Sequence, residues 1–152
     1  MAVPPRILVG DAGRHTRAMI SEVLRTAGFR DLIQAASQAD LVQLVDQHRP
    51  KIIVMAADFP GLSGLTFAKQ IRHGFNFVPR ETSIILTTDA PTRSFLEASR
   101  TVGVDEVVAV PFTMLLWHLV DDSTPEALAT AIADCIVFGI PLHRRRLATI
   151  RL

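Results

Sequence analysis

Ile52-Ile53-Val54-Met55-Ala56-Ala57-Asp58-Phe59-Pro60-Gly61-Leu62-Ser63-Gly64 reads as a buried strand, a turn and the start of a helix. Four consecutive apolar residues follow Lys51, three of them β-branched. Such a run suits a central parallel strand covered on both faces. Pro60 and Gly61 end it, and Ser63 is placed to cap the next helix. In a parallel α/β sheet, chemistry sits in the loops that leave the carboxyl ends of central strands. This strand brings two alanines and one aspartate there, a meagre set for catalysis.

Upstream, Ile7-Leu8-Val9-Gly10 follows Arg6 as a short apolar strand ending at Asp11. Met19, Ile20, Val23, Leu24 and Ala27 then recur at helical spacing before Gly28 stops the helix. Leu32 to Ala35 is a second, weaker strand, and Ser37 caps a helix whose apolar side is Leu41, Leu44 and Val45. Downstream of the opening stretch come a helix to Arg72 and a fourth strand from Thr82 to Thr88. Ala90-Pro91 opens a helix carrying Phe95, Leu96, Ser99 and Val102 inward, and Glu106 to Val110 is a fifth strand closed by Pro111-Phe112. Strands alternating with helices predict an α/β fold, a doubly wound five-stranded parallel sheet with helices on both faces. Met114 to Val120 is evenly apolar. A final helix begins near Pro125, with Leu128, Ala131, Ile132, Cys135 and Ile136 on one stripe, and ends at Gly139. The chain is therefore read as one domain over 1–139 and a basic tail over 140–152.

A chain of 152 residues that is 49% hydrophobic and 20% charged has material for one real core. Its formal net charge of +1 argues against a polyanionic partner for the domain as a whole. Arg144-Arg145-Arg146, with Arg151, reads as a solvated tail rather than a nucleic-acid site. Cys135 alone excludes an internal disulfide or a thiolate metal cluster and suits a reducing compartment. MAVPPRILVG lacks the pattern of a signal peptide, and no stretch reaches the ~20 apolar residues of a membrane span. A soluble cytoplasmic protein is expected. The five histidines show no metal-ligand spacing, and Gly61-Leu62-Ser63-Gly64 lacks the spacing of a nucleophile elbow. Neither an enzymatic activity, a metal nor a cofactor is expected.

The landmarks Ile7 to Asp11, Gly28-Phe29, Phe59-Pro60-Gly61-Leu62-Ser63-Gly64, Thr87-Thr88 and Val110-Pro111-Phe112-Thr113 resemble, in order and on matching elements, those of a response-regulator receiver domain. The resemblance runs from Arg6 to Thr113 and implies the flavodoxin-like strand order 2-1-3-4-5. It also implies a mechanism. In that family an aspartate at the third strand end is the nucleophile that takes a phosphoryl group, and two acids after the first strand help hold Mg²⁺. A hydroxyl after the fourth strand and a lysine after the fifth hold the phosphoryl oxygens. Matched by position, the nucleophile falls on Ala56, four residues before Pro60, and the acid pair falls on Asp11 and Ala12. The hydroxyl is Thr88, the lysine falls on Val110, and the aromatic switch of the fifth strand falls on Val107.

The resemblance thus implies a degenerate receiver in bacterial two-component signalling, its fold kept and its phosphate switch removed. Such a module acts by docking to a kinase, a regulator or a second copy of itself, with a homodimer as one form. In receivers the face of the fourth helix, fifth strand and fifth helix mediates such contacts. Glu97, Arg100, Val107 and Trp117 are the residues here that it would involve, Trp117 alongside Leu115, Leu116 and Leu119. The ending of the chain also resembles that of stand-alone receivers, which implies no output domain. Two alternatives stay open. Asp58 could serve as a relocated phosphoryl acceptor, although its loop is expected to aim it away from Thr88 as a solvated carboxylate. An alanine-lined pocket could instead take a small molecule.

Overall fold

The central strand is β3 (Ile52–Ala56), every residue of which is buried. A computed structural model describes residues 5–26, 28–74, 78–89 and 92–109 of the chain. β3 lies between β1 (Ile7–Gly10) and β4 (Ser83–Thr88), with β2 (Leu32–Ala35) beyond β1 and β5 (Glu106–Ala109) beyond β4. All four pairings are parallel, and the order is β2-β1-β3-β4-β5, the flavodoxin-like order. The register sets Gly10 beside Met55, Ala56 beside Thr87 and Thr88 beside Ala109.

Strand side chains alternate between faces, so the core divides in two. Ile7, Val9, Ile52, Val54, Ile85 and Val108 pack on one face with Met19, Ile20, Val23 and Leu24 of α1 (Arg14–Thr26). Leu8, Ile53, Met55, Ile84, Leu86 and Val107 pack on the other. That second face is covered by α2 (Gln38–His48) and α3 (Gly64–Arg72), with partly buried residues of α4 (Arg93–Val102). No described helix is long and apolar enough to cross a membrane.

The caps follow from local chemistry. The Ser37 and Ser63 hydroxyls accept the N–H groups of Asp40 and Thr66, each at 3.2 Å. Thr92 caps α4 by accepting from Phe95 N–H at 3.1 Å. The α1, α3 and α4 helices are each followed by a glycine with positive φ: Gly28, Gly74 and Gly103. α2 ends instead on Arg49 in the left-handed region, at φ 45° and ψ 62°. An L side chain there costs about 1 kcal/mol more than glycine would.

Arg72 braces the edge where the strands begin. Its guanidinium pairs with Asp105 at 3.0 Å and donates to the carbonyls of Gly103, Arg80 and Thr82. Asp105 is fully buried and also accepts the Ile84 N–H at 2.7 Å. Burial pushes the Arg72 guanidinium below its ordinary range, and the Asp105 carboxylate opposes that shift. Val110, Trp117, the helix ending at Gly139 and the tail over 140–152 lie outside the described residues.

Candidate functional site

Parallel strands deliver their carboxyl ends to one edge, and there β1, β3 and β4 open a cleft of about 210 Å³. β1 supplies Asp11, β3 supplies Ala56 and then Asp58, and β4 supplies Thr87, Thr88 and Asp89. Gly13 and Thr16, from the start of α1, complete the lining.

Ala56 is the last residue of β3 and is 6% exposed. The turn after it is pinned closely. Ala57 N–H donates to Thr87 C=O at 2.8 Å, and Gly64 N–H returns to Ala57 C=O at 2.9 Å. Gly64 has no room for a side chain: a Cβ there would sit 2.6 Å from Leu86 Cδ2 and 3.3 Å from the Ala56 carbonyl oxygen. What β3 presents at its tip is therefore a methyl group held in a fixed place.

Asp11 is half-buried, and its Oδ1 accepts the Gly13 N–H at 2.7 Å. Arg17 donates to the Asp11 carbonyl oxygen at 2.8 Å and to Gln34 Oε1 at 3.3 Å. Burial raises the Asp11 pKa above its ordinary 3.8, and the charge of Asp58 raises it further. The Gly13 hydrogen bond and the Arg17 charge pull the other way without prevailing. Ala12, at the second acid position, is exposed.

Two expectations are corrected here. Asp58 is exposed, as a solvated carboxylate should be, yet it lines the same cleft as Thr88 and Asp11, and its charge acts on the Asp11 carboxyl. Val107 is 1% exposed and packs in the core beneath α4, so it supplies no contact surface, whereas Glu97 and Arg100 on α4 are exposed. The sequence reading missed Asp89, Thr87 and Thr16 as lining residues. Asp89 was findable, since it directly follows the Thr88 landmark at a strand end.

The Mg²⁺ that the family resemblance implies is poorly provided for. Mg²⁺ demands octahedral oxygen ligation. Among the described residues no group of three or more acids, histidines or cysteines is arranged to hold a metal.

The family description that matches the chain is the response regulator receiver domain, over residues 7–116. The chain is similar to the transcriptional regulatory protein PdtaR of Mycobacterium tuberculosis, 26% identical over 113 residues. That match takes in 74% of this chain and 53% of PdtaR, so the chain spans about half the length of that relative. It is 25% identical over 107 residues to the chemotaxis protein CheY of Bacillus subtilis, covering 70% of this chain and 86% of CheY. Two solved structures share the fold. CheY4 of Vibrio cholerae superposes with a TM-score of 0.70 at 20% identity, covering 88% of this chain and all 100% of its own. DrrB of Thermotoga maritima gives 0.73 at 19% identity, with 91% and 55% covered.

Proposed function

The chain belongs to the response regulator receiver domain family, and on that premise we propose that it signals by docking to a protein partner without phosphoryl transfer at the third strand. The observation that carries the reading is the Ala56 methyl at the tip of β3, in register with Thr87 and lining the cleft. A methyl has no lone pair to attack phosphorus. Ala12 removes a second acid, and the sequence has Val110 where the family has lysine.

On this reading the protein is a stand-alone, cytoplasmic, non-enzymatic module of bacterial two-component signalling. Its partner is a kinase, a regulator or a second copy. Partner binding sets its conformation through differential affinity for its states. The exposed α4 residues Glu97 and Arg100 belong to the docking face.

The test is treatment with Mg²⁺ and acetyl phosphate, followed by intact-mass measurement, and with beryllofluoride, followed by amide chemical shifts. Unchanged mass and unchanged shifts around Thr88 are expected. A second reading has one observation in its favour: Asp58 shares the cleft with Thr88 and Asp11. There the Asp58 carboxylate takes the phosphoryl group. A mass gain of one phosphoryl unit that vanishes in Asp58→Asn would establish this reading and end the first.

A further inference from the structure

The edge where the strands begin carries a row of cations. Arg30 stands ahead of β2, Arg6 ahead of β1, Arg49 and Lys51 ahead of β3, and Arg80 ahead of β4. Because the sheet is parallel, these entrances share one edge, in the order β2-β1-β3-β4. The ladder extends back through them. Ile7 N–H donates to Asp31 C=O at 3.0 Å, Lys51 N–H to Arg6 C=O at 3.1 Å and Ser83 N–H to Lys51 C=O at 3.1 Å. At the usual strand separation the row is ~15 Å long. Arg6 is engaged by Asp31, but Arg30, Arg49, Lys51 and Arg80 are exposed and make no ion pair with a described residue.

Cations near helix C-termini are ordinary, since the helix dipole favours them, and Arg25 and Arg72 answer to that. Arg49 does not fit that account. Three helices are followed by a positive-φ glycine, and α2 alone of the four ends on an arginine in left-handed backbone. Its N–H donates to Val45 C=O at 3.0 Å, a bond a glycine there would also make, while its exposed guanidinium pairs with no described acid. Strain kept at one exposed residue points to a use for its side chain. Arg49 and Lys51 stand at the entrance of β3, the central strand.

We propose that this edge docks a short acidic segment of a protein partner, centred on Arg49 and Lys51 and flanked by Arg30 and Arg80. Acids within the row select length. Asp31 stands between Arg30 and the centre, and the exposed Glu81 follows Arg80. A continuous polyanion would run over both, whereas a segment with a few spaced carboxylates avoids them. The inference does not depend on what happens at the carboxyl edge.

The test is fluorescence anisotropy of a labelled hexapeptide alternating glutamate and serine, at ~0.05 M and ~0.5 M salt. Saturable binding is expected at low salt and much weaker binding at high salt. Lys51→Glu weakens it by about threefold or more. Arg49→Gly weakens it by about threefold while raising the melting temperature, a pairing that a merely structural Arg49 would not give. Arg93→Gln, at the opposite edge, binds as the unaltered protein does. No saturable binding at low salt overturns the proposal. So does full affinity in both Arg49→Gly and Lys51→Glu, or tighter binding of a single-stranded oligonucleotide of equal charge. Phosphoryl transfer does not enter this readout, so failure here leaves the docking reading of the carboxyl edge to its own test.

Discussion

Asp11 holds its proton more tightly in the folded chain than in the unfolded one, because burial and the Asp58 charge both disfavour its carboxylate. The sign of the consequence follows from linkage. An acid with a raised folded pKa lends its full stability at low pH, and that stability declines as pH rises from about the ordinary 3.8 through the raised value. Asp58→Asn removes one of the two raising causes. The Asp11 midpoint is then expected to move down and the decline of melting temperature with pH to soften. Carboxyl ¹³C titration checks the first and thermal melts across pH 3 to 7 the second. An Asp11 midpoint unmoved by the substitution would mean that the two carboxylates do not face each other. Asp11 itself was legible, as the acid at the end of the first strand. That Asp58 shares its cleft was not, since the course of the loop is set by how it closes against β4.

At the scale of elements, two features make opposite predictions. Ser99 on α4 is fully buried, and its hydroxyl has no hydrogen-bond partner among the described residues. Ser99→Ala removes that unmet polar group and is expected to stabilise the protein by about 1 kcal/mol. A higher urea midpoint at unchanged slope would show it. The brace between α3 and the entrances of β4 and β5 behaves in the other direction. Asp105→Ala leaves the Arg72 guanidinium without its buried counter-charge and the Ile84 N–H without its acceptor. A loss of about 3–5 kcal/mol is expected, read by the same urea titration. Gly64→Ala drives a methyl into Leu86 and is expected to cost about 1–3 kcal/mol. The caps at Ser37 and Ser63 were readable because one hydroxyl at one spacing suffices. The start of α4 was set too early, because Pro91 drew the boundary while Thr92 supplied the cap. The Arg72–Asp105 pair was invisible, since 33 residues separate partners that only the folded sheet brings together.

For the whole molecule, order and class were legible because every level agreed: apolar runs of strand length, helical stripes between them and turn residues at each end. The inner strands are buried on both faces, so a register fixed at Pro60 carries through to Thr87 and Thr88. The candidate site was half legible. Residue identities at strand ends can be read off a sequence, but the sharing of one cleft by Asp11, Asp58 and Asp89 is a property of the closed sheet. The same closure makes the scaffold a poor host for a restored acid. Ala56→Asp would set a further charge against Asp11, Asp58 and Asp89 at a position 6% exposed. It is expected to cost about 1–3 kcal/mol at pH 7. That cost shrinks as the medium is acidified, because the new acid also carries a raised pKa. Melts at pH 7 and pH 4 check it.

The hydrocarbon cap on β3 bears on time as well as chemistry. An acyl phosphate is a clock, started by a donor and stopped by hydrolysis, and Ala56 has no atom on which to start it. If docking alone carries the signal, as proposed, whatever passes through this strand end persists only while a complex holds together. Duration is then governed by how fast two proteins part, and concentration does the work that covalent marking does elsewhere.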